Sequence, residues 1–188
     1  MPSTLEAFQL LPYLAADLRR RRELINGRSD DAGGWRLWLS VLSPRFVPVL
    51  LCRLAYWFAI HRLGPVAKLV SLLNFFMFGI EIGLRCHIGK GLFLPHTHGT
   101  VIGAYSIGQN ATIFQGVTLG ARELDFSYLE ASRPVVGDNV VIGSGAKVLG
   151  GLRIGTGAHI GANAVVLESI PPMVLAAGVP ARVVKSLV

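Results

Sequence analysis

The sequence predicts a mainly β protein, a parallel β-helix of hexapeptide repeats preceded by an α-helical region. Three observations carry this expectation. Val136, Ile142, Val148, Ile154, Ile160 and Val166 follow one another at intervals of six without a slip. The same spacing runs earlier through Ile82, Ile88 and Leu94, and again through Ile107, Ile113 and Leu119. The residues before position 79 lack this period and carry long apolar runs instead. A period of six fits neither an α-helix nor a single strand. Sustained over many repeats it denotes a solenoid. Three hexads make one triangular coil, each hexad supplying a short strand and a corner, with its aliphatic side chain pointing into the prism. The hexads VGDNVV, IGSGAK, VLGGLR, IGTGAH, IGANAV and VLESIP place small residues where the chain must turn tightly. The two blocks account for four to five coils, with one irregularity around Thr100–Ser106.

Residues 1–78 are read as a helical region and residues 79–188 as the β-helix domain, with a loop excursion at 121–134 and a C-terminal tail. Two apolar stretches, Phe46 to Ile60 and Leu69 to Ile80, are each shorter than the ~20 apolar residues that cross a bilayer. Arg53 interrupts the first, and Lys68 and Glu81 bracket the second. Both are expected to be buried or interfacial helices. Trp35, Trp38 and Trp57 suit either setting.

The chain has 188 residues, 52% of them hydrophobic and 15% charged. That composition excludes a disordered chain. Two cysteines make no disulfide framework, and no secretory signal is expected at the start of the chain, so a reducing, cytoplasmic setting is inferred. Net charge is +7, and residues 1–75 hold ten basic residues against five acids. The run Arg19 to Arg22 reads as a solvated helix end, or as a contact with an anionic membrane surface, the inner membrane face included. Nucleic-acid binding is not expected, because no helix-turn-helix, zinc-finger or RNA-binding signature is visible.

Three segments carry a family resemblance: IEIGLRCHIGKGLFLPHTHGTVIG at 80–103, IFQGVTLGA at 113–121 and AAGVPARVV at 176–184. Together they resemble the hexapeptide-repeat acyltransferases, and within them the serine acetyltransferases. The resemblance implies a left-handed β-helix, a homotrimer with active sites between subunits, and acetyl-CoA as co-substrate. It also implies direct acetyl transfer to an acceptor hydroxyl within a ternary complex.

On this resemblance His96 is the general base, a role that suits histidine because its unperturbed pKa of ~6.5 lets it accept a proton near neutral pH. Glu81, fifteen residues earlier where the family has Asp, is expected to orient the imidazole. His98 could share a strand face with His96 and is a candidate acceptor ligand or alternative base. His87 and His159 are read as surface or corner residues. The polar loop 121–134 is a candidate acceptor site, with Arg122 and Arg133 as substrate-binding residues. Ala121, Ser144 and Ala162 are expected along the pantetheine arm of CoA, with Arg182 and Lys185 near its phosphates. No metal is expected. One carbonic anhydrase class shares this fold, but its H-x4-H spacing is absent here, where His96-x-His98 stands instead.

Two departures bear on the acceptor. Serine enzymes place Asp before the catalytic His, where this chain has Pro95. They close the later loop with Asp-Arg-His-Pro, where this chain has Ala131-Ser132-Arg133-Pro134. Losing an anionic partner for an ammonium group points away from an amino acid. The leading expectation is therefore a sugar acceptor of a bacterial surface polysaccharide or its precursor. L-serine, or a related small hydroxyl compound, is the alternative.

Overall fold

A computed structural model describes residues 8–27, 41 and 43–188. Trp35 and Trp38 lie outside the described residues. Among the described residues three helices come first: α1 (Leu10–Asn26), α2 (Val47–Ile60) and α3 (Gly64–Phe78). Pro48 and Pro65 sit in the first turns of α2 and α3, where the missing N–H costs nothing. Proline at that point starts α3 at Gly64, earlier than the apolar run beginning at Leu69 suggests. Gly79, left-handed at φ 62°, caps α3 and turns the chain into the first strand.

The remainder winds through three parallel sheets. The first sheet orders β1 (Ile80–Ile82), β3 (Thr100–Ile102), β6 (Thr118–Gly120), β9 (Lys147–Leu149) and β12 (Val165–Val166). The second stacks β2 (His87–Ile88), β4 (Ser106–Ile107), β7 (Val135–Val136) and β10 (Arg153–Ile154). The third stacks β5 (Thr112–Ile113), β8 (Val141–Ile142), β11 (His159–Ile160) and β13 (Val174–Gly178), then adds the antiparallel β14 (Ala181–Ser186) at its edge. Five coils result. Their aliphatics meet coil over coil, as Ile107 on Val136 and Val136 on Ile154, and form one continuous buried column. At ~25 cal/mol per Å² of apolar surface, this stacking is the main stabilising term.

The register locates the irregularity. Ile102, opposite both Ile82 and Leu119, takes the core position in the second coil. Eight residues therefore separate Leu94 from Ile102, and five separate Ile102 from Ile107. The enlarged corner between Leu94 and Ile102 is the segment that carries His96 and His98.

The helices cap the first coil. Arg53 of α2 is buried and forms a paired contact with Asp17 of α1, at 2.8 and 3.0 Å. Its guanidinium also donates to the carbonyls of Ile88 and Gly89, while Asp17 accepts from the Leu92 N–H. Every charge taken out of water is thus matched, which a buried pair requires. Arg53, an interruption in an apolar run when read locally, is the pin between helices and β-helix. The Arg19–Arg22 run lies on α1 and is not wholly a solvated end: Arg21 donates to the Ser43 hydroxyl at 2.8 Å and is part-buried.

Candidate active site

His96 sits on the enlarged corner, immediately after the bridge that pairs Phe93 with Thr112. Two hydrogen bonds fix this corner to the end of α3. The Thr97 hydroxyl donates to the Phe78 carbonyl at 2.9 Å, and the Gly99 N–H donates to the Gly79 carbonyl at 2.9 Å. The His98 ring lies over Gly79, where an added Cβ would stand 3.0 Å from its Nδ1. Glycine at 79 thus serves both the left-handed cap and the close approach of His98. His96 and His98 are both exposed, and both line a hollow of about 520 Å³ with Arg45, Met77, Phe78 and Gln115. An accessible imidazole beside an open hollow can meet a substrate hydroxyl and take its proton.

The coil register extends this corner into a column. His96 stands two residues after Leu94, Gln115 two after Ile113, Ser144 two after Ile142 and Ala162 two after Ile160, and these aliphatics are in register down the third sheet. The turns are laced together: Gly116 N–H donates to His98 O, Gly145 N–H to Gln115 O, and Asn163 N–H to Ser144 O. Ser144 and Ala162, expected along the pantetheine arm, therefore share one edge of the prism with His96. Ala121 stands two residues after Leu119 and belongs to a different edge.

Two residues on the His96 edge escape sequence reasoning. Gln115 lines the His96 hollow, and its side-chain oxygen is buried without a hydrogen-bond partner. The Lys147 ammonium sits against the Gly116 carbonyl at 2.6 Å and the Thr118 hydroxyl at 3.1 Å. The available signal was their place in the repeat: Gln115 fills the turn position of His96, Ser144 and Ala162, and Lys147 opens a strand where neighbouring coils have the uncharged Thr118 and Val165.

Glu81 is exposed on β1, opposite Val101, and lines a separate groove with Lys68, Ser71, Leu72, Phe75 and Leu84. Among the described residues no hydrogen bond or ion pair joins Glu81 to His96.

The 121–134 loop is a braced lobe. Arg133 pairs with Asp125 at 2.8 Å, donates to the Gly103 carbonyl at 2.7 Å and stacks 4.0 Å over the Tyr128 ring. The Tyr128 hydroxyl donates to the Ala104 carbonyl at 2.7 Å. Burial works to raise the Asp125 pKa, but hydrogen bonds from Arg133 and from the Leu129 and Tyr128 N–H groups outweigh it and hold the carboxyl below its ordinary range. Arg122 donates to the carbonyls of Leu149 and Leu167, bridging two coils of the first sheet. Ala121, Arg122 and Asp125 line a second hollow of about 430 Å³ beside this loop. Within one chain the two candidate substrate arginines are engaged in holding the loop, away from His96.

The remaining candidates are dispersed. Arg182 is exposed on β14 with Glu168 at 3.6 Å, and Lys185 lies further along the same strand, opposite Leu175. His87 packs edge-on to Tyr56 at 6.3 Å, and burial lowers its pKa. His159 stays in the third sheet, between Val141 and Leu175.

Comparison with known proteins places these features in context. Residues 133–168 match the family described as bacterial transferase hexapeptide (six repeats). The serine acetyltransferase of Synechococcus elongatus is 37% identical over 172 residues, covering 91% of this chain and 67% of that protein. The crystal structure of Neisseria gonorrhoeae serine acetyltransferase superposes with a TM-score of 0.81 at 30% identity, covering 96% of this chain and 66% of that one. The gonococcal enzyme has also been solved in complex with serine, and this chain matches that structure with a TM-score of 0.77 at 30% identity. A serine acetyltransferase in complex with CoA matches with a TM-score of 0.76 at 31% identity, over 93% of this chain and 69% of that one. This chain thus spans about two thirds of the length of these proteins.

Proposed function

This chain belongs to the serine acetyltransferase family of hexapeptide-repeat, acetyl-CoA-dependent O-acetyltransferases, and from that premise we propose that it moves the acetyl group of acetyl-CoA onto the hydroxyl of L-serine. The observation that carries the reading is the match to a serine acetyltransferase over nine-tenths of the chain, which runs through the His96 corner. The relatives named above lend their support to serine and none to a sugar, so the leading expectation from sequence yields to its alternative.

In this reading His96 accepts the proton of the acceptor hydroxyl as its oxygen attacks the thioester carbonyl. The tetrahedral intermediate collapses, the CoA thiolate leaves, and the proton held by His96 passes to the sulfur. The orienting role proposed for Glu81 rests on its place fifteen residues before His96, where the family has Asp. The edge through Ser144 and Ala162 receives the pantetheine arm, Arg182 and Lys185 meet its phosphates, and three copies assemble around the sites.

A second reading rests on one observation. Pro95 offers no carboxylate to an ammonium group, and the Arg133 guanidinium is already held by Asp125 and Gly103. A sugar hydroxyl needs neither group. Incubation with acetyl-CoA and either L-serine or a panel of sugars, with the product identified by NMR, separates the two readings. O-acetylserine is expected. Acetylated sugar in its place would overturn the serine reading and retain the transfer chemistry.

A further inference from the structure

Helix α3 is built inside out. Its inward side is thin and partly polar: Ala67 and Asn74 are its buried residues, and the Asn74 amide donates to the Pro48 carbonyl at 3.0 Å. Its outward side is apolar. Leu69, Leu72, Leu73, Phe75, Phe76 and Met77 are exposed, Phe76 by 75% and Leu69 by 66%. A contiguous apolar face of this kind in a water-facing position marks a surface that something covers.

Charge identifies what covers it. Between Asp31 and Glu81 the sequence has no acidic residue, while Arg36, Arg45, Arg53, Arg62 and Lys68 all fall there. Arg53 is spent on the buried pair with Asp17. Arg62 is exposed in the turn before α3, Lys68 is exposed on α3 itself, and Arg45 is exposed in the hollow at the Met77–Phe78 end. Among the described residues the acid beside the face is Glu81, which shares the Lys68 and Phe75 groove. Exposed phenylalanine and leucine flanked by Arg45, Arg62 and Lys68, with Glu81 the one acid among the described residues beside them, is a composition suited to a bilayer interface. An anionic lipid surface satisfies both the apolar side chains and the charges. No helix among the described residues is long and apolar enough to cross a membrane, so the contact is peripheral.

We propose that the outward face of α3 docks on an anionic membrane surface. Because Thr97 and Gly99 are hydrogen-bonded to Phe78 and Gly79, docking would hold the His96 corner at the bilayer surface. The proposal does not depend on which acceptor is acetylated.

The test is co-sedimentation of the full chain with vesicles of phosphatidylcholine and phosphatidylglycerol in a two-to-one mixture, with light scattering to follow oligomeric state. The wild type is expected to partition onto these vesicles and to leave them in high salt. Phe76→Ser combined with Leu69→Ser removes exposed side chains and should cut partitioning about tenfold or more while leaving the thermal melt in place. Lys68→Glu should weaken it several-fold on its own. Absence of vesicle binding by the wild type overturns the proposal. So does disassembly of a wild-type oligomer by Phe76→Ser and Leu69→Ser, which would make a second copy the occupant. No substrate is present, so failure here leaves the proposed transfer reaction untouched.

Discussion

Arg53 and Asp17 show how much one residue pair carries. Both are buried, with side-chain exposures of 3% and 0%, and together they tie α1 and α2 to the carbonyls and N–H of the first coil. Arg53→Met leaves the Asp17 carboxylate buried without its cation and is expected to cost about 3–5 kcal/mol, read as a lowered urea midpoint. The paired change Asp17→Leu with Arg53→Met should cost less than the two singles summed, because the first loss already includes the stranded charge. The two cysteines make a second prediction. Burial pushes the Cys52 thiol up to about 11 and raises Cys86 as well. The thiolate is the reactive form. Neither thiol should react with iodoacetamide at mildly alkaline pH in the folded protein, and both should react once it is unfolded in guanidinium.

At the scale of the element, the 121–134 loop is held by a small number of groups that can be removed one at a time. Asp125 is the hub, accepting from Arg133 and from the N–H groups of Tyr128 and Leu129. Its folded pKa lies below the ordinary value of ~3.9. The stability it contributes is complete above that ordinary value and is lost as pH falls through the lower folded value. The loop is therefore braced throughout the neutral range and loosens only in acid. Asp125→Ala should expose the bond after Arg122 to trypsin at neutral pH, where the wild type resists; Arg133, followed by Pro134, stays resistant in either case. Gly151 gives the same loop an independent probe, since an added Cβ would lie 1.8 Å from the Ala131 carbonyl oxygen. Gly151→Val should displace the return of the loop and raise trypsin sensitivity in the same way, at a cost of about 1–3 kcal/mol. Resistance of both variants would mean that the brace lies elsewhere.

For the whole molecule, the coils were legible because the prism admits one aliphatic per hexad, so Val136 through Val166 announce their positions. The His96 corner was legible as a motif, and the register explains it as the place where the repeat is enlarged. The pin at Arg53 was not legible, because its partner is 36 residues away and no local pattern links them. Gln115 and Lys147 were hidden for a related reason: only the stacking of coils brings them to the His96 edge. The apolar run that became α3 foretold a helix but could not say that the phenylalanines face out and Asn74 faces in. Arg122 and Arg133 were read as substrate-binding because their polar loop interrupts the repeat, and within one chain the fold engages both in holding that loop. Most of these gaps concern contacts between residues distant in sequence. The central claim, acetyl transfer with His96 as base, is tested most directly by thiol release from acetyl-CoA in the presence of L-serine, comparing wild type with His96→Ala. Serine-dependent release that falls by ~10²–10⁴-fold in the variant, with its thermal melt unchanged, is the predicted result. Serine-dependent release that persists undiminished in His96→Ala would contradict it.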